Sequence, residues 1–112
     1  MSTATQPIQH AENDVFMAIA HPVRRHLLDL LSKGDQSVKE LSEPFDMSRP
    51  AISQHLRILL EVGLVSERRK GRERRYQLHA EGLIEVQRWL QTYQQFWDNR
   101  LEALGKFLDE QA

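Results

Sequence analysis

Hydrophobic and polar positions alternate at helical spacing along the first half of the chain. Val15 and Ile19 are four residues apart, and a stripe with the spacing i, i+4, i+7 and i+8 begins at Val23. Pro22 is tolerated in the first turn of a helix. The pattern therefore predicts a short helix that begins near Asp14 and a longer amphipathic helix that begins at Pro22.

Capping residues predict the ends of two further helices. Ser37 and Glu40 have the spacing of a capping box, and Pro44, which lacks an amide hydrogen, should end the helix that follows. Ser48 is a suitable N-cap for the next helix, which we expect to end in a Schellman-type cap at Gly63. Because only a short turn separates these two helices, the spacing is that of a helix-turn-helix.

The periodicity changes to that of strands after residue 64. Tyr76 and Leu78 alternate with polar residues, and Gly71 and Arg72 lie between two stretches that can form strands. We therefore predict a β-hairpin with a charged tip, in which Tyr76 belongs to the core. A hairpin that directly follows a helix-turn-helix is a wing.

A long helical pattern covers residues 81–109. Its apolar residues step by three or four positions, as in a coiled-coil seam, and Trp89 and Phe96 form a ridge beside that seam. A single helix of this length cannot cover both apolar surfaces by itself, so the pattern predicts self-association. The seam consists of Leu83, Val86, Leu90, Tyr93, Trp97, Leu101, Leu104 and Leu108.

Together these elements predict a mainly α fold with a small β-hairpin, that is, a winged helix-turn-helix with a long C-terminal dimerisation helix. Residues 1–11 are polar and show no periodicity, so we expect a disordered N-terminal tail there. The winged helix-turn-helix would span residues 12–80, and the dimerisation helix would span residues 81–112.

The net charge of −1 conceals a segregation of charge along the chain. Residues 49–75 contain eight Lys/Arg and three acidic residues, which gives a net charge of +5, and the rest of the chain carries −6. A basic segment in an otherwise acidic chain is what a polyanion-binding surface requires.

The helix between Ser48 and Gly63 has one apolar and one polar face. On a helical wheel its aliphatic residues cluster with His55 on their flank, where we expect a packed, hydrogen-bonded histidine. Along the outward face, the uncharged and basic residues come first and the acidic Glu61 comes last. This order suits a recognition helix whose N-terminal end enters a major groove, where Gln pairs with adenine and Arg with guanine. The predicted DNA-binding residues of this helix are Ser48, Arg49, Ser53, Gln54 and Arg57. The alternative is that they form an ordinary solvent-exposed face.

Six basic residues surround the tip of the predicted hairpin. So many cations within eight residues repel one another unless an anion is near, and a phosphate backbone supplies such an anion. An Arg at a wing tip can also enter a minor groove. The predicted DNA-binding residues of the wing are Arg68, Arg69, Lys70, Arg72, Arg74 and Arg75.

Two stretches of the chain and its long terminal helix resemble the ArsR family of bacterial winged-helix repressors over residues 14–108. The stretches are IAHPVRRHLLDLL and SVKELSEPFDMSRPAISQHLRILLEVGLVSERRKGRERRYQL. The resemblance implies a homodimer that binds double-stranded operator DNA and usually represses transcription. It also implies a dimer interface built from the first and last helices, which here would contain Val15, Phe16 and Ile19 together with the eight seam residues named above.

The resemblance also bears on metal binding. Metal-sensing members of the family carry a cysteine pair on the third helix, but this chain has no cysteine. Other members bind zinc through His and carboxylate side chains of the last helix, but residues 81–112 contain no histidine. We therefore expect no metal and no other cofactor, and the effector is unknown.

Other functional classes find less support in the sequence. No catalytic motif is present, so we do not expect an enzyme, and no stretch has the length of a membrane span, so we expect a cytoplasmic protein without a membrane partner. One alternative to a DNA-binding repressor is a winged-helix protein-interaction module that does not bind DNA. Another is a small-molecule-responsive protein that uses the aromatic residues of the last helix, Trp89, Tyr93, Phe96 and Trp97.

Overall fold

The structure, a computed structural model, describes residues 14–111. The tail predicted over residues 1–11 lies outside the described residues. The predicted order of four helices, a hairpin and a long terminal helix is confirmed. The elements are α1 (Val15–Ile19), α2 (Pro22–Leu31), β1 (Gln36–Ser37), α3 (Val38–Ser42), α4 (Arg49–Glu61), β2 (Val65–Lys70), β3 (Glu73–Leu78), a 3₁₀ helix (Ala80–Leu83) and α5 (Ile84–Gln111).

Side-chain caps begin three of the helices, as the sequence predicts. Asp14 caps α1 and Ser48 caps α4, and each accepts a hydrogen bond from the amide nitrogen three residues further on, at 2.9 and 3.3 Å. Ser37 and Glu40 form the capping box of α3, with distances of 2.8 Å from the Ser37 nitrogen to Glu40 Oε1 and 3.2 Å from the Glu40 nitrogen to Ser37 Oγ. The Ser48 cap marks the end of the turn between α3 and α4.

The backbone reverses at Gly63, directly after α4. Its φ angle is +82°, in the left-handed region that favours glycine. The amide nitrogen of Leu64 lies 2.9 Å from the carbonyl oxygen of Leu59, and that of Gly63 lies 3.1 Å from the carbonyl oxygen of Leu60. These two hydrogen bonds define the predicted Schellman cap, which is confirmed and which starts the hairpin beside the end of α4.

The strands form an antiparallel sheet in the order β1-β3-β2. β2 and β3 are the predicted hairpin, and their register pairs Lys70 with Glu73 across a two-residue loop. The sequence pattern does not predict β1, because its two residues are too few to show the periodicity of a strand. β1 pairs with Tyr76 and Arg75 of β3. The hairpin is therefore joined to the start of α3 and is not a free arm.

The hydrophobic core lies between the first four helices and the base of the hairpin. Tyr76 is 3% exposed, which confirms its predicted place in the core. Fully burying a Leu or Ile side chain contributes about 1.5–3 kcal/mol relative to leaving it in water. The largest fully buried side chains are Leu27, Leu41, Ile52, Leu56, Leu59 and Leu64.

Val15 belongs to this core, although it is predicted for the dimer interface. Its side chain is 5% exposed and packs in the same cluster as Ala18. So little of its surface is accessible that its predicted contact with a second chain would be small. Phe16 and Ile19 are only partly buried and keep accessible surface, and the Phe16 ring contacts Trp89 edge-to-face with a centroid distance of 5.8 Å.

The last α-helix begins later than the predicted start near Glu81. A 3₁₀ helix occupies Ala80–Leu83, and α5 follows with 28 residues, a length of about 42 Å. A Cβ atom at Gly82 would lie 2.6 Å from the carbonyl oxygen of Gly63, so the backbones of the 3₁₀ helix and the α4 cap are in direct contact. This close approach sets the point at which α5 leaves the rest of the molecule.

Candidate nucleic-acid interface

α4 presents its polar face to solvent, beside the hairpin. Its large aliphatic residues face the core and are fully buried, whereas Gln54 and Arg57 are exposed and Ser53 is half-buried. Ser48 and Arg49 are exposed at the N-terminal end of the helix. All five residues that the sequence predicts to contact DNA from this helix therefore have accessible surface.

A groove of about 460 Å³ lies between α4 and the hairpin. Ser53, Gln54 and Arg57 line its helix side, and Arg74 and Tyr76 line its hairpin side. The structure thus brings three of the predicted helix residues and one predicted wing residue to the same concave surface. Amide, hydroxyl and guanidinium groups converge there, and these are the groups that read base edges and hold phosphates.

One carboxylate, that of Glu67, also lines this groove. Burial is the main cause that raises the pKa of the Tyr76 hydroxyl, and the neighbouring Glu67 carboxylate raises the pKa further. The Tyr76 hydroxyl therefore stays protonated at neutral pH, and in this form it can donate a hydrogen bond. Arg74 acts on the pKa of the Tyr76 hydroxyl in the opposite direction. The groove is therefore not uniformly basic, because one carboxylate lies among its cations.

A second, more basic depression of about 250 Å³ lies next to the hairpin tip. Lys39, Arg49, Arg72 and Arg74 line it, with one acidic residue, Glu73. Lys39 lies outside the basic segment of residues 49–75, so the charge pattern of the sequence does not single it out. Its place in the first turn of the first helix of a helix-turn-helix was the available signal, since that helix crosses the DNA backbone.

The cations of the hairpin face one another across its two strands. The register places Arg68 opposite Arg75 and Arg69 opposite Arg74. Like charges directly opposite each other destabilise a strand pair. Each Arg–Arg pair therefore needs an anion nearby, and the two pairs differ in whether the protein itself supplies one.

Arg75 is paired with carboxylates of its own chain. Its guanidinium nitrogens lie 3.4 Å from Asp35 Oδ2, 3.4 Å from Glu40 Oε1 and 3.1 Å from Glu73 Oε1, and its side chain is 18% exposed. Little of the Arg75 side chain is accessible to a phosphate, so Arg75 is the predicted wing residue that its own chain occupies most. Arg68 shares Asp35 at 3.1 Å, but its side chain is 65% exposed.

The charge of Asp35 is well satisfied by these two arginines. The hydrogen bond from Arg68 is the largest cause that holds the pKa of the Asp35 carboxyl below its usual range, and Arg75 acts in the same direction against the effect of burial. The carboxylate form is therefore the one that the folded chain favours.

A polar cluster behind α4 connects it to the first two helices. Arg24 Nη1 lies 3.1 Å from His55 Nδ1, and Arg24 also donates to the carbonyl oxygens of Ala18 and Met17. Because a guanidinium can only donate, the His55 Nδ1 atom accepts, and the ring is neutral. Burial is the main cause that lowers the pKa of His55, followed by the neighbouring His21 and Arg24. The predicted packed, hydrogen-bonded histidine is confirmed.

α5 exposes a long apolar surface. Of the predicted seam residues, Leu83 and Val86 pack partly against the core, whereas Leu101 is 66% exposed. An exposed apolar surface that runs along most of a helix marks an interaction site in a soluble protein. The large apolar side chains that α5 exposes are Ile84, Trp89, Tyr93, Phe96, Trp97, Leu101, Leu104, Phe107 and Leu108.

Two other kinds of site can be assessed over residues 14–111. In that range, no group of three or more His, Cys, Asp or Glu side chains is arranged to hold a metal ion. No helix in the same range has the length and hydropathy needed to cross a bilayer.

Sequence comparisons give matches that extend over the whole chain. A family described as "Bacterial regulatory protein, arsR family" matches residues 21–67. The transcriptional repressor SdpR of Bacillus subtilis is 39% identical over 89 residues, which are 80% of this chain and 99% of that protein. The HTH-type transcriptional regulator Rv2034 of Mycobacterium tuberculosis is 33% identical over 112 residues, which are 100% of this chain and 97% of that protein.

Solved structures of similar sequence share the fold. The crystal structure of an ArsR family transcriptional regulator matches with a TM-score of 0.67 and 36% identity, over 74% of this chain and 91% of that one. An ArsR-like transcriptional regulator from Rhodococcus sp. RHA1 matches with a TM-score of 0.64 and 35% identity, over 88% of this chain and 94% of that one. The predicted winged helix-turn-helix is confirmed, and the chain belongs to the ArsR family of bacterial regulatory proteins.

Proposed function

We propose that this chain is a homodimeric transcriptional repressor that binds a pseudo-palindromic DNA operator through α4 and the hairpin. The observation that carries the proposal is the groove in which Gln54 and Arg57 of α4 face Arg74 of the hairpin. Membership of the ArsR family and the similarity to the repressor SdpR support repression of transcription over activation.

The side chains divide into two kinds of contact. Gln54 and Arg57 lie near the middle of the exposed α4 face, where they can reach base edges in a major groove. Arg49 and Lys39 line the basic depression beside the reading helix, where they can hold phosphates. Among the predicted wing residues, Arg69, Lys70, Arg72 and Arg74 are exposed and are the proposed wing contacts.

The exposed apolar side chains of α5 support dimerisation. We propose that two copies pack their α5 seams together, with Phe16 and Ile19 of α1 at the edge of the interface. Burying the seam removes an apolar surface that water would otherwise contact along most of a 28-residue helix. A two-fold dimer places two copies of α4 in equivalent positions, so the operator should contain half-sites about 10 bp, or a multiple of that, apart.

Selection of bound sites from random double-stranded DNA tests this proposal. We expect a palindromic consensus whose affinity falls steeply as salt rises between about 50 and 200 mM, because phosphate contacts release counterions. Lys39→Ala and Arg72→Ala should each weaken all DNA sequences alike and flatten the salt slope by about 1.

Lys106→Ala is the matched control, because it removes an exposed cation from the far part of α5. It should leave the salt slope unchanged. If no sequence is enriched and no shift occurs at low salt, the chain is not a DNA-binding repressor, and the protein-interaction alternative gains support.

A further inference from the structure

An ion-pair network joins the hairpin to the segment that precedes the helix-turn-helix. Asp35 lies between α2 and β1, and its Oδ2 atom is 3.1 Å from Arg68 Nη2 on β2 and 3.4 Å from Arg75 Nε on β3. Arg75 Nη2 also donates to the main-chain carbonyl oxygen of Asp35 at 3.2 Å. One residue outside the hairpin therefore contacts both of its strands.

The network extends to the start of α3. Glu40 Oε1 accepts a hydrogen bond from the Ser37 amide at 2.8 Å in the capping box and lies 3.4 Å from Arg75 Nη2. Ser37 in turn pairs with Arg75 in the β1–β3 ladder. Arg75 is thus fixed by backbone pairing and by three carboxylates at once, and its low exposure limits screening of these contacts by solvent.

The geometry of the hairpin makes this connection relevant to DNA. Side chains alternate between the two faces of a strand, so Arg69 and Arg74 share the face that carries Tyr76, whereas Arg68 and Arg75 share the opposite face. Asp35 holds the second pair. The contacts between Asp35 and the hairpin therefore lie on the opposite face from the groove that Arg74 and Tyr76 line.

We propose that Asp35 is a positioning residue for DNA binding, which holds the wing at the angle needed for α4 and the wing to contact one duplex. The inference rests on the proposed function, because it concerns the same DNA-binding surface. Asp35 itself contacts no DNA in this proposal and acts through Arg68 and Arg75. Without its carboxylate the wing samples other orientations, and the apparent dissociation constant rises in inverse proportion to the correctly oriented fraction.

The sign of the effect separates positioning from simple electrostatics. Asp35→Asn removes a negative charge from the DNA-binding half of the protein, and repulsion alone predicts tighter binding to a polyanion. If Asp35 only competed with phosphate for Arg68, the substitution would also tighten binding by releasing that side chain. Positioning predicts the opposite result, that is, weaker binding with an unchanged number of phosphate contacts.

The experiment measures DNA affinity of the full chain at several salt concentrations, well below the melting temperature. We expect Asp35→Asn to weaken binding about three- to fivefold. This is the change expected if about a fifth to a third of the variant molecules hold the wing at the correct angle. The salt slope should not change. Asp35→Glu keeps the carboxylate on a longer side chain and should restore most of the affinity. Asp46→Asn is the matched control, because it removes an exposed acid from the turn before α4, and it should not weaken binding.

Hydrogen exchange on the DNA-free protein provides a second measurement. In Asp35→Asn, amides of β2 and β3 should exchange faster, whereas those of α5 should not change. Equal or tighter DNA binding by Asp35→Asn, or unaltered exchange in the hairpin, overturns the inference. Failure of the wild-type chain to bind any DNA would refute the proposed function instead, and the exchange measurement would still decide whether Asp35 holds the hairpin.

Discussion

The α5 seam offers the sharpest test of assembly, through the substitution Leu101→Ala. Leu101 is 66% exposed in one chain, so about two-thirds of its side-chain burial is available only to a partner. Fully burying a Leu contributes about 1.5–3 kcal/mol, which leaves about 1–2 kcal/mol per side chain for the interface. A symmetric dimer contains the substitution twice, so the loss is about 2–4 kcal/mol, and the dimer dissociation constant should rise about 30- to 700-fold.

Sedimentation over a wide range of protein concentrations measures this change. Leu101→Ala should shift the monomer–dimer transition to higher concentration, while Gln95→Ala, on the other side of the same helix, should leave it in place. The unfolding of isolated monomers should not change, because Leu101 is not among the residues that pack on the core. If the wild-type chain is monomeric at all concentrations, or if Leu101→Ala dimerises as the wild type does, the assigned seam is wrong.

Three further substitutions test the reading helix, the packing behind it and the histidine cluster. Arg57→Ala should cost about 1–3 kcal/mol in operator affinity and relax base preference at one position of the selected consensus. Uniform weakening over all DNA sequences would indicate a phosphate contact instead. Gly82→Ala should lower stability by about 1–3 kcal/mol in thermal melts, because a Cβ atom there lies 2.6 Å from the carbonyl oxygen of Gly63; an unchanged melting temperature would contradict this contact. The pKa of His55 is lowered from 6.5 in the folded chain, mainly by burial. As the pH drops through 6.5, the unfolded chain therefore binds more protons than the folded chain does. Stability should therefore be constant above about pH 6.5 and fall as the pH drops through 6.5, and denaturation of His55→Gln should lack this slope while that of His79→Gln keeps it.

The elements that sequence reasoning locates correctly are those determined by a few neighbouring residues. The capping box of Ser37 and Glu40 and the Schellman cap at Gly63 each depend on residues within one turn, so the chain itself shows them. The same holds for the hairpin, because its two-residue loop joins strands that alternate over a short stretch. Local signals were sufficient to predict the fold class and the surface of α4.

The features that the sequence could not show depend on residues far apart in the chain. Arg75 and Asp35 are 40 positions apart, and only the pairing of β1 with β3 brings them together. In the sequence, Arg75 is therefore indistinguishable from its basic neighbours. Val15 has the spacing of an interface residue but is buried within its own chain, because α1 is packed against α2 and α4. Periodicity identifies an apolar face without identifying what covers it.

The arrangement of charge on the hairpin explains why so many cations are compatible with a folded wing. Two cross-strand Arg–Arg pairs lie on opposite faces, and each is unfavourable by itself. Asp35 pairs with both Arg68 and Arg75 and so offsets their mutual repulsion, and in our proposal it also sets the wing angle. No ion pair among residues 14–111 involves Arg69 or Arg74, and the nearest acidic residue on their face of the hairpin is Glu67, opposite Tyr76. In the proposed complex, a phosphate backbone along the groove would place further anions beside Arg69 and Arg74 and so favour DNA binding.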